Sequence, residues 1–145
     1  MVTIINLARF QIMIKIVCIG KLKEKFYREA EKEYLKRIGK FIRIEVEEKE
    51  FFGEEKCDCK IYLDEKGEEM DSMKFAKFMQ DLLLQHKTIC FFIGGWKGIN
   101  EEEKEKADYI LSLSKMTFPY QLCRIILLEQ IYRAFTIIKG ISYHK

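Results

Sequence analysis

Proline occurs once in these 145 residues, at Pro119, and histidine twice, at His86 and His144. With one proline and no low-complexity stretch, nothing marks an interdomain linker. Metal-ligand spacing is absent, as is any Ser/His/Asp or Cys/His grouping, so no metal site and no hydrolytic triad are expected. No run of eighteen apolar residues exists, which argues against a membrane span. The first twelve residues, MVTIINLARFQI, lack a basic n-region and an A-x-A cleavage site, so they match a signal peptide poorly. Met13 stands just before the first convincing strand; residues 1–12 therefore read as an extension, and 13–145 as a single domain. The five cysteines, at positions 18, 57, 59, 90 and 123, are odd in number and form no regular framework, which points to a reducing, cytoplasmic setting. Cys18 and Cys90 lie in apolar runs and read as small core residues. Cys57-Asp58-Cys59 would be half of a metal or redox site, and nothing completes it.

The net charge of +3 conceals a pattern. Between Met13 and Arg43 there are ten Lys/Arg against four Asp/Glu, whereas Ile44 to Asp71 holds four against twelve. Ser112 to Lys145 is basic again, five against one. Basic surface at both ends is either a phosphate-binding footprint or two solvated helix faces.

Ile14–Ile19 is a short apolar run closed by Gly20, the pattern of a buried strand. From Glu24 to Gly39 the residues Phe26, Ala30, Tyr34, Leu35 and Ile38 recur at helical spacing. Phe41–Val46 and Lys60–Leu63 read as strands, the latter followed by a turn at Asp64–Gly67. Asp71 or Ser72 would cap a helix running to about His86. Thr88–Ile93 is the most hydrophobic strand, Asn100 caps a short helix to Ala107, and Tyr109–Leu113 is a fifth strand. Pro119 to Lys139 is one long helix stopping at Gly140. Strands separated by helices predict an α/β fold, a mainly parallel sheet covered by helices on both faces. The last helix is apolar most of the way round, so its second side is expected to pack on another subunit.

Three segments follow strands, where open α/β sheets bind ligands: Leu63–Gly67, Gly94-Gly95-Trp96-Lys97-Gly98, and Leu113–Pro119. Gly94 and Gly95 either let a ligand approach the backbone or make a tight turn; their spacing matches neither a dinucleotide fingerprint nor a phosphate-binding Walker loop. Leu113–Phe118, with only Lys115 charged, offers amides and carbonyls suited to an adenine edge. His144, one residue from the end, is either a frayed tail or a functional group.

FFIGGWKGIN (Phe91–Asn100), LSLSKMTFP (Leu111–Pro119) and LLEQIYRAFTIIKGISYHK (Leu127–Lys145), with the opening IKIVCIGKLKEKFYREAEKEYLKRI, resemble the bacterial 23S rRNA pseudouridine-N3 methyltransferases of the SPOUT superfamily. The resemblance implies a C-terminal trefoil knot, an obligate homodimer, S-adenosyl-L-methionine as cofactor, and the assembled ribosome as substrate. It would assign the cofactor pocket to Leu63, Gly94, Gly95, Leu113, Ser114, Lys115, Met116, Thr117 and Phe118. The Tyr143-His144-Lys145 tail would close over the site, that of the partner subunit included, with His144 handling the proton and Tyr143 positioning the base. Arg133 and Lys145 would favour the anionic nucleobase or hold phosphate. Lys15, Lys21, Lys23, Lys25 and Arg28 would contact RNA phosphates, with Lys115 and Arg124 nearby. Tyr120 departs from the histidine common after the proline, the segment from Glu47 to Cys59 is about one helix short, and residues 1–12 have no counterpart. Three other readings compete: a non-catalytic ribosome- or RNA-binding dimer, a SPOUT methyltransferase with another RNA target, and, more distantly, a redox protein using Cys57 and Cys59.

Overall fold

The computed structural model describes residues 12–145; all of the expected N-terminal extension except Ile12 lies outside the described residues. Five strands form one parallel sheet: β1 (Met13–Ile19), β2 (Arg43–Lys49), β3 (Cys59–Glu69), β4 (Thr88–Ile93) and β5 (Tyr109–Ser112), in the order β2-β1-β4-β3-β5. The helices are α1 (Lys25–Ile38), α2 (Ser72–Gln85), α3 (Glu101–Lys104) and α4 (Tyr120–Lys139). Asp71 and Asn100 cap α2 and α3, each accepting from the amide three residues on, which supplies a partner for an otherwise orphaned donor.

Side chains of the central strands alternate between two cores, as a period of two requires. Ile14, Ile16, Ile61, Ile89 and Phe91 face α1, α2 and α4. Val17, Tyr62, Cys90 and Phe92 face the other way. That second face is covered thinly, by Phe52 and Cys57 of the 50–58 segment and by Ile99 and Ala107 flanking α3. Helices thus lie on both faces, but three long ones share one face and the four-residue α3 serves the other.

The short connection from β2 to β3 contains no helix. It must cross three strand spacings, about 14 Å, and descend about 17 Å along the sheet, a diagonal near 22 Å. The 50–58 segment spans that comfortably, since an extended chain reaches about 3.3 Å per residue. Phe52 meets Phe92 and Tyr62 edge-on, at 5.4 and 6.1 Å between centroids.

The cysteines are not the unpaired set expected, and they give no support to the reducing setting drawn from it. Cys57 and Cys90 form a disulfide, with Cα atoms 6.0 Å apart. The 50–58 segment runs over the face on which Cys90 points, which brings the two within bridging range. Cys90 is therefore not a free core thiol, and Cys57 and Cys59 do not act as a pair: Cys59 points into the opposite core. Burial pushes the Cys59 thiol up to about 11 and the Cys18 thiol up to about 12, so neither is a reactive thiolate.

The turn expected at Asp64–Gly67 is not formed: β3 runs through these residues to Glu69, with an irregularity in their place. Register slips between Leu63 and Glu68, and the strand then resumes beside β5. Gly67 permits this, because a Cβ there would lie 2.6 Å from the Ile110 carbonyl oxygen. Connections leaving β1 and β3 turn towards the long helices, whereas the one leaving β4 turns towards α3. A crevice opens at the carboxyl end of β4, where such divergence places ligand sites.

Candidate active site

That crevice is a cavity of about 860 Å³, within the range of small-molecule sites. Leu63, Gly94, Gly95, Leu113, Ser114, Met116, Thr117 and Phe118 all line it, so three segments far apart in sequence meet in one place. Lys115 is the exception: its side chain is 87% exposed and faces Glu69 at 3.7 Å.

The loops are braced against each other. Ser112 donates through its hydroxyl to the Ser114 carbonyl at 2.8 Å, and the Met116 amide donates to the Ser114 hydroxyl at 3.0 Å. The Thr117 hydroxyl reaches across to Glu65 at 2.6 Å. Asp64 pairs with Lys104 at 2.6 Å, both largely enclosed. Burial pushes the Asp64 carboxyl up, but the Lys104 ammonium and the Lys66 amide outweigh it and hold it below the usual carboxylate value. Gly94 is sterically required, since a Cβ would meet the Gly98 carbonyl group at 2.6 Å and Ile99 at 2.8 Å. Apolar Leu63, Ile93, Ile99, Leu113 and Phe118 wall the cavity, while Asp64 and Glu65 supply negative charge.

The loop after β1 joins this rim. The Lys23 amide donates to the Gln121 side chain at 2.7 Å, and the Tyr120 ring lies against Gly20. Lys21, Lys23 and Lys25 are exposed there. Arg28 is exposed too, donating to the Leu22 and Lys23 carbonyls at 3.3 and 2.8 Å, so it staples the loop.

Two expected phosphate contacts do not survive. Arg124 is 1% exposed and donates to Glu48 at 2.7 Å, Glu31 at 2.9 Å and the Gly20 carbonyl at 3.3 Å. All its charge is spent inside the chain, on partners from α1, β2 and the β1 loop, so it cannot reach RNA. Lys15, on β1, is bound to Glu47 at 3.0 Å and Glu55 at 3.6 Å.

The tail is ordered against α4. Arg133 donates to His144 Nδ1 at 3.0 Å and to Glu129 at 2.7 Å. The Tyr143 hydroxyl donates to Glu129 at 2.8 Å, and its ring lies under the Arg133 guanidinium and edge-on to Tyr132. Burial, then the bond to Glu129, pushes the Tyr143 phenol up to about 12. Lys145 is exposed at the end. The structure thus gathers Arg133, Tyr143 and His144, but none of them lines the cavity. Along α4, Arg133 lies about 20 Å from Tyr120 at the cavity rim.

The strand-end segments expected to bind ligand already contained Asp64, Glu65 and Trp96, though without individual roles, whereas Glu129 and Lys104 were not expected at all. Glu129 had a visible signal, four residues before Arg133; Lys104 had none, its pairing with Asp64 being tertiary.

A protein-family profile described as predicted SPOUT methyltransferase matches residues 47–144, spanning every cavity loop after β3, β4 and β5 and the tail to His144. The chain belongs to the SPOUT methyltransferase family. A relative from Coprothermobacter proteolyticus, named ribosomal RNA large subunit methyltransferase H, is 44% identical over 137 residues, covering 91% of this chain and 99% of its own. Proteins of the same name from Clostridium kluyveri and Caldicellulosiruptor saccharolyticus are 41% and 37% identical over 157 and 154 residues, covering 91% and 92% of this chain and 99% and 100% of theirs. Those longer alignments hold residues with no counterpart here, in keeping with the short β2–β3 connection. A solved structure, a probable methylase family protein from Haemophilus influenzae Rd KW20, has TM-score 0.62 at 13% identity over 91% of this chain and 70% of its own, a likeness of fold alone. Membership of this family implies a methyl donor. Among the described residues no helix is long and apolar enough to cross a membrane, and no cluster of three or more His, Cys, Asp or Glu would hold a metal.

Proposed function

We propose that this chain methylates N3 of a pseudouridine in 23S rRNA of the assembled ribosome, in the cytoplasm, using S-adenosyl-L-methionine and acting as a homodimer. The observation that carries the reading is the meeting of Leu63, Gly94-Gly95 and Leu113–Phe118 around one cavity beside the exposed Lys21–Lys25 loop. The names of the relatives supply the substrate class.

The cavity suits this cofactor. Its apolar walls match the adenine, the polar backbone of 113–118 matches the base edge, and Glu65, bonded to the Thr117 hydroxyl rather than to a lysine, offers a carboxylate to the sulfonium or ammonium. The glycine pair lets these groups approach the main chain. Bound there, the cofactor supplies an already activated methyl group, so the protein's task is alignment with the target nitrogen.

N3 of pseudouridine carries a proton at neutral pH, so the enzyme must help the base to shed it. A guanidinium can only donate, so Arg133 fixes His144 Nδ1 as the acceptor and leaves the hydrogen on Nε2. In this arrangement His144 presents an N–H to the substrate and stabilises the nucleobase anion, while the N3 proton leaves to solvent water rather than to the imidazole. Tyr143 is a positioning residue, pinning the tail to Glu129, while Arg133 adds positive charge and Lys145 reaches phosphate. Because the tail lies far from its own cavity, the site needs the tail of a second copy. Half-exposed Leu122, Ile125 and Ile126 on α4 provide a face for it. The family's knot would thread the 113–119 segment back from the edge strand β5 to α4, which is seated between α1 and α2.

The test is transfer of labelled methyl from S-adenosylmethionine to intact ribosomes lacking the modification, with purified 23S RNA in parallel. Label on ribosomes alone, mapping to one pseudouridine, is expected. No label from a folded dimer on competent ribosomes would overturn the enzymatic reading in favour of a binding factor.

A further inference from the structure

We propose that Trp96, with Lys97 beside it, is a stacking platform for a nucleobase of the RNA substrate at the mouth of the cleft. This rests on the proposed function and names a contact that it leaves open.

Trp96 and Lys97 form the tip of a turn closed by the Gly98 amide donating to the Gly95 carbonyl at 2.9 Å, with Gly95 and Gly98 bridged in antiparallel fashion. The turn stands directly on β4, so its tip is held at the cavity. Trp96 lines that cavity yet is 82% exposed, and Met116, on the 113–119 segment, is 73% exposed. A tryptophan buries a large apolar surface in most proteins. Lys97 lies over one face of this indole, and the exposure of the ring leaves the other face open for a base to stack on. A cofactor grip would enclose the indole more fully; here most of the ring stands outside the cleft.

Charge identifies the partner. Lys97 Nζ sits 5.2 Å from the indole centroid, and among the described residues Lys97 has no carboxylate partner. Lys104, by contrast, is neutralised by Asp64 and Glu101. Lys66 lines the same cavity, and Lys21 and Lys23 are exposed on the β1 loop that packs on Tyr120 and Gln121 at its rim, so the mouth presents an apolar plate among cations. Bases joined by phosphates are the polymer that matches both features, and a protein partner has less need of the cations.

The experiment is steady-state methyl transfer to intact ribosomes at saturating S-adenosylmethionine, using wild type, Trp96→Ala and Trp96→Phe. Calorimetric binding of S-adenosylmethionine and the oligomeric state are measured on each. Loss of a base stack is expected to raise the ribosome KM of Trp96→Ala roughly tenfold, with the loss falling on KM rather than kcat. Trp96→Phe should recover most of it, and cofactor affinity should not move. An unchanged KM, a loss that phenylalanine does not repair, a parallel fall in cofactor affinity, or dissociation of the dimer would each overturn the platform. If wild type binds ribosomes without methylating them, the methyl-transfer reading falls. Ribosome co-sedimentation of Trp96→Ala against wild type then still decides the platform, equal binding overturning it.

Discussion

Arg124, the fifth residue of α4, is one of the most buried side chains among the described residues although it is charged. It ties α4 to α1 through Glu31 and to β2 through Glu48. Removing one member of such a network strands the others, which costs about 3 kcal/mol. Arg124→Ala should therefore lose about that much stability in urea unfolding, and leave the salt dependence of ribosome binding as it was. Lys21→Gln and Lys23→Gln should do the reverse, each lowering the salt slope by about one with little change in stability. Asp64 allows a pH prediction. Its carboxyl is held below the usual value in the folded chain, so its contribution is present above the unfolded carboxylate pKa and is lost as pH falls through the folded one. Asp64→Asn should cost about 1 kcal/mol near neutrality and flatten the acid side of the stability curve, read by thermal melts from pH 7 downwards.

Among the elements, the β4–α3 loop has little room for change. At Gly94 a methyl group would meet main-chain atoms of Gly98, which cannot rotate away as a side chain can. Gly94→Ala should displace the Gly95–Gly98 turn and weaken S-adenosylmethionine binding at least tenfold by calorimetry, because a shift of about 1 Å can cost that much and more. The sheet's second core, built round Phe52, Tyr62 and Phe92, should stay folded. α4 has the opposite character: its amino end shapes the cavity and its carboxyl end carries the tail, about 20 Å away, and the proposed dimer would bring the cavity of one copy to the tail of the other.

For the whole molecule, that separation predicts complementation. On the proposed dimer, Gly94→Ala lacks a working cleft and His144→Ala lacks a working tail, and each alone should be nearly inactive. Mixed one to one and allowed to exchange subunits, about a quarter of the sites should pair an intact cleft with an intact tail. Methyl-transfer assays of the mixture should recover about that fraction of wild-type activity. No recovery, in a mixture shown to contain heterodimers, would mean that cleft and tail do not combine across subunits. Ile125→Glu should abolish both the dimer in size-exclusion chromatography and the activity.

Sequence alone determined what local rules can determine. Periodicity located all five strands and the long helices, Asp71 and Asn100 announced their caps, and the cavity loops stood out because they follow apolar strands. The Phe91–Asn100, Leu111–Pro119 and Leu127–Lys145 segments carried the family. Tertiary structure decided which charges are free. Lys15, Lys21, Lys23 and Arg124 look alike in the chain, and only the fold shows that two of them are consumed by carboxylates. Arg124 meets Glu31 and Glu48 across separations of 93 and 76 residues, and no periodicity reports on such pairings. The Cys57–Cys90 bridge and the Asp64–Lys104 pair were hidden for the same reason. Local patterns follow from one residue's own backbone, whereas the fate of a charge or a thiol depends on whatever distant group the sheet order sets against it.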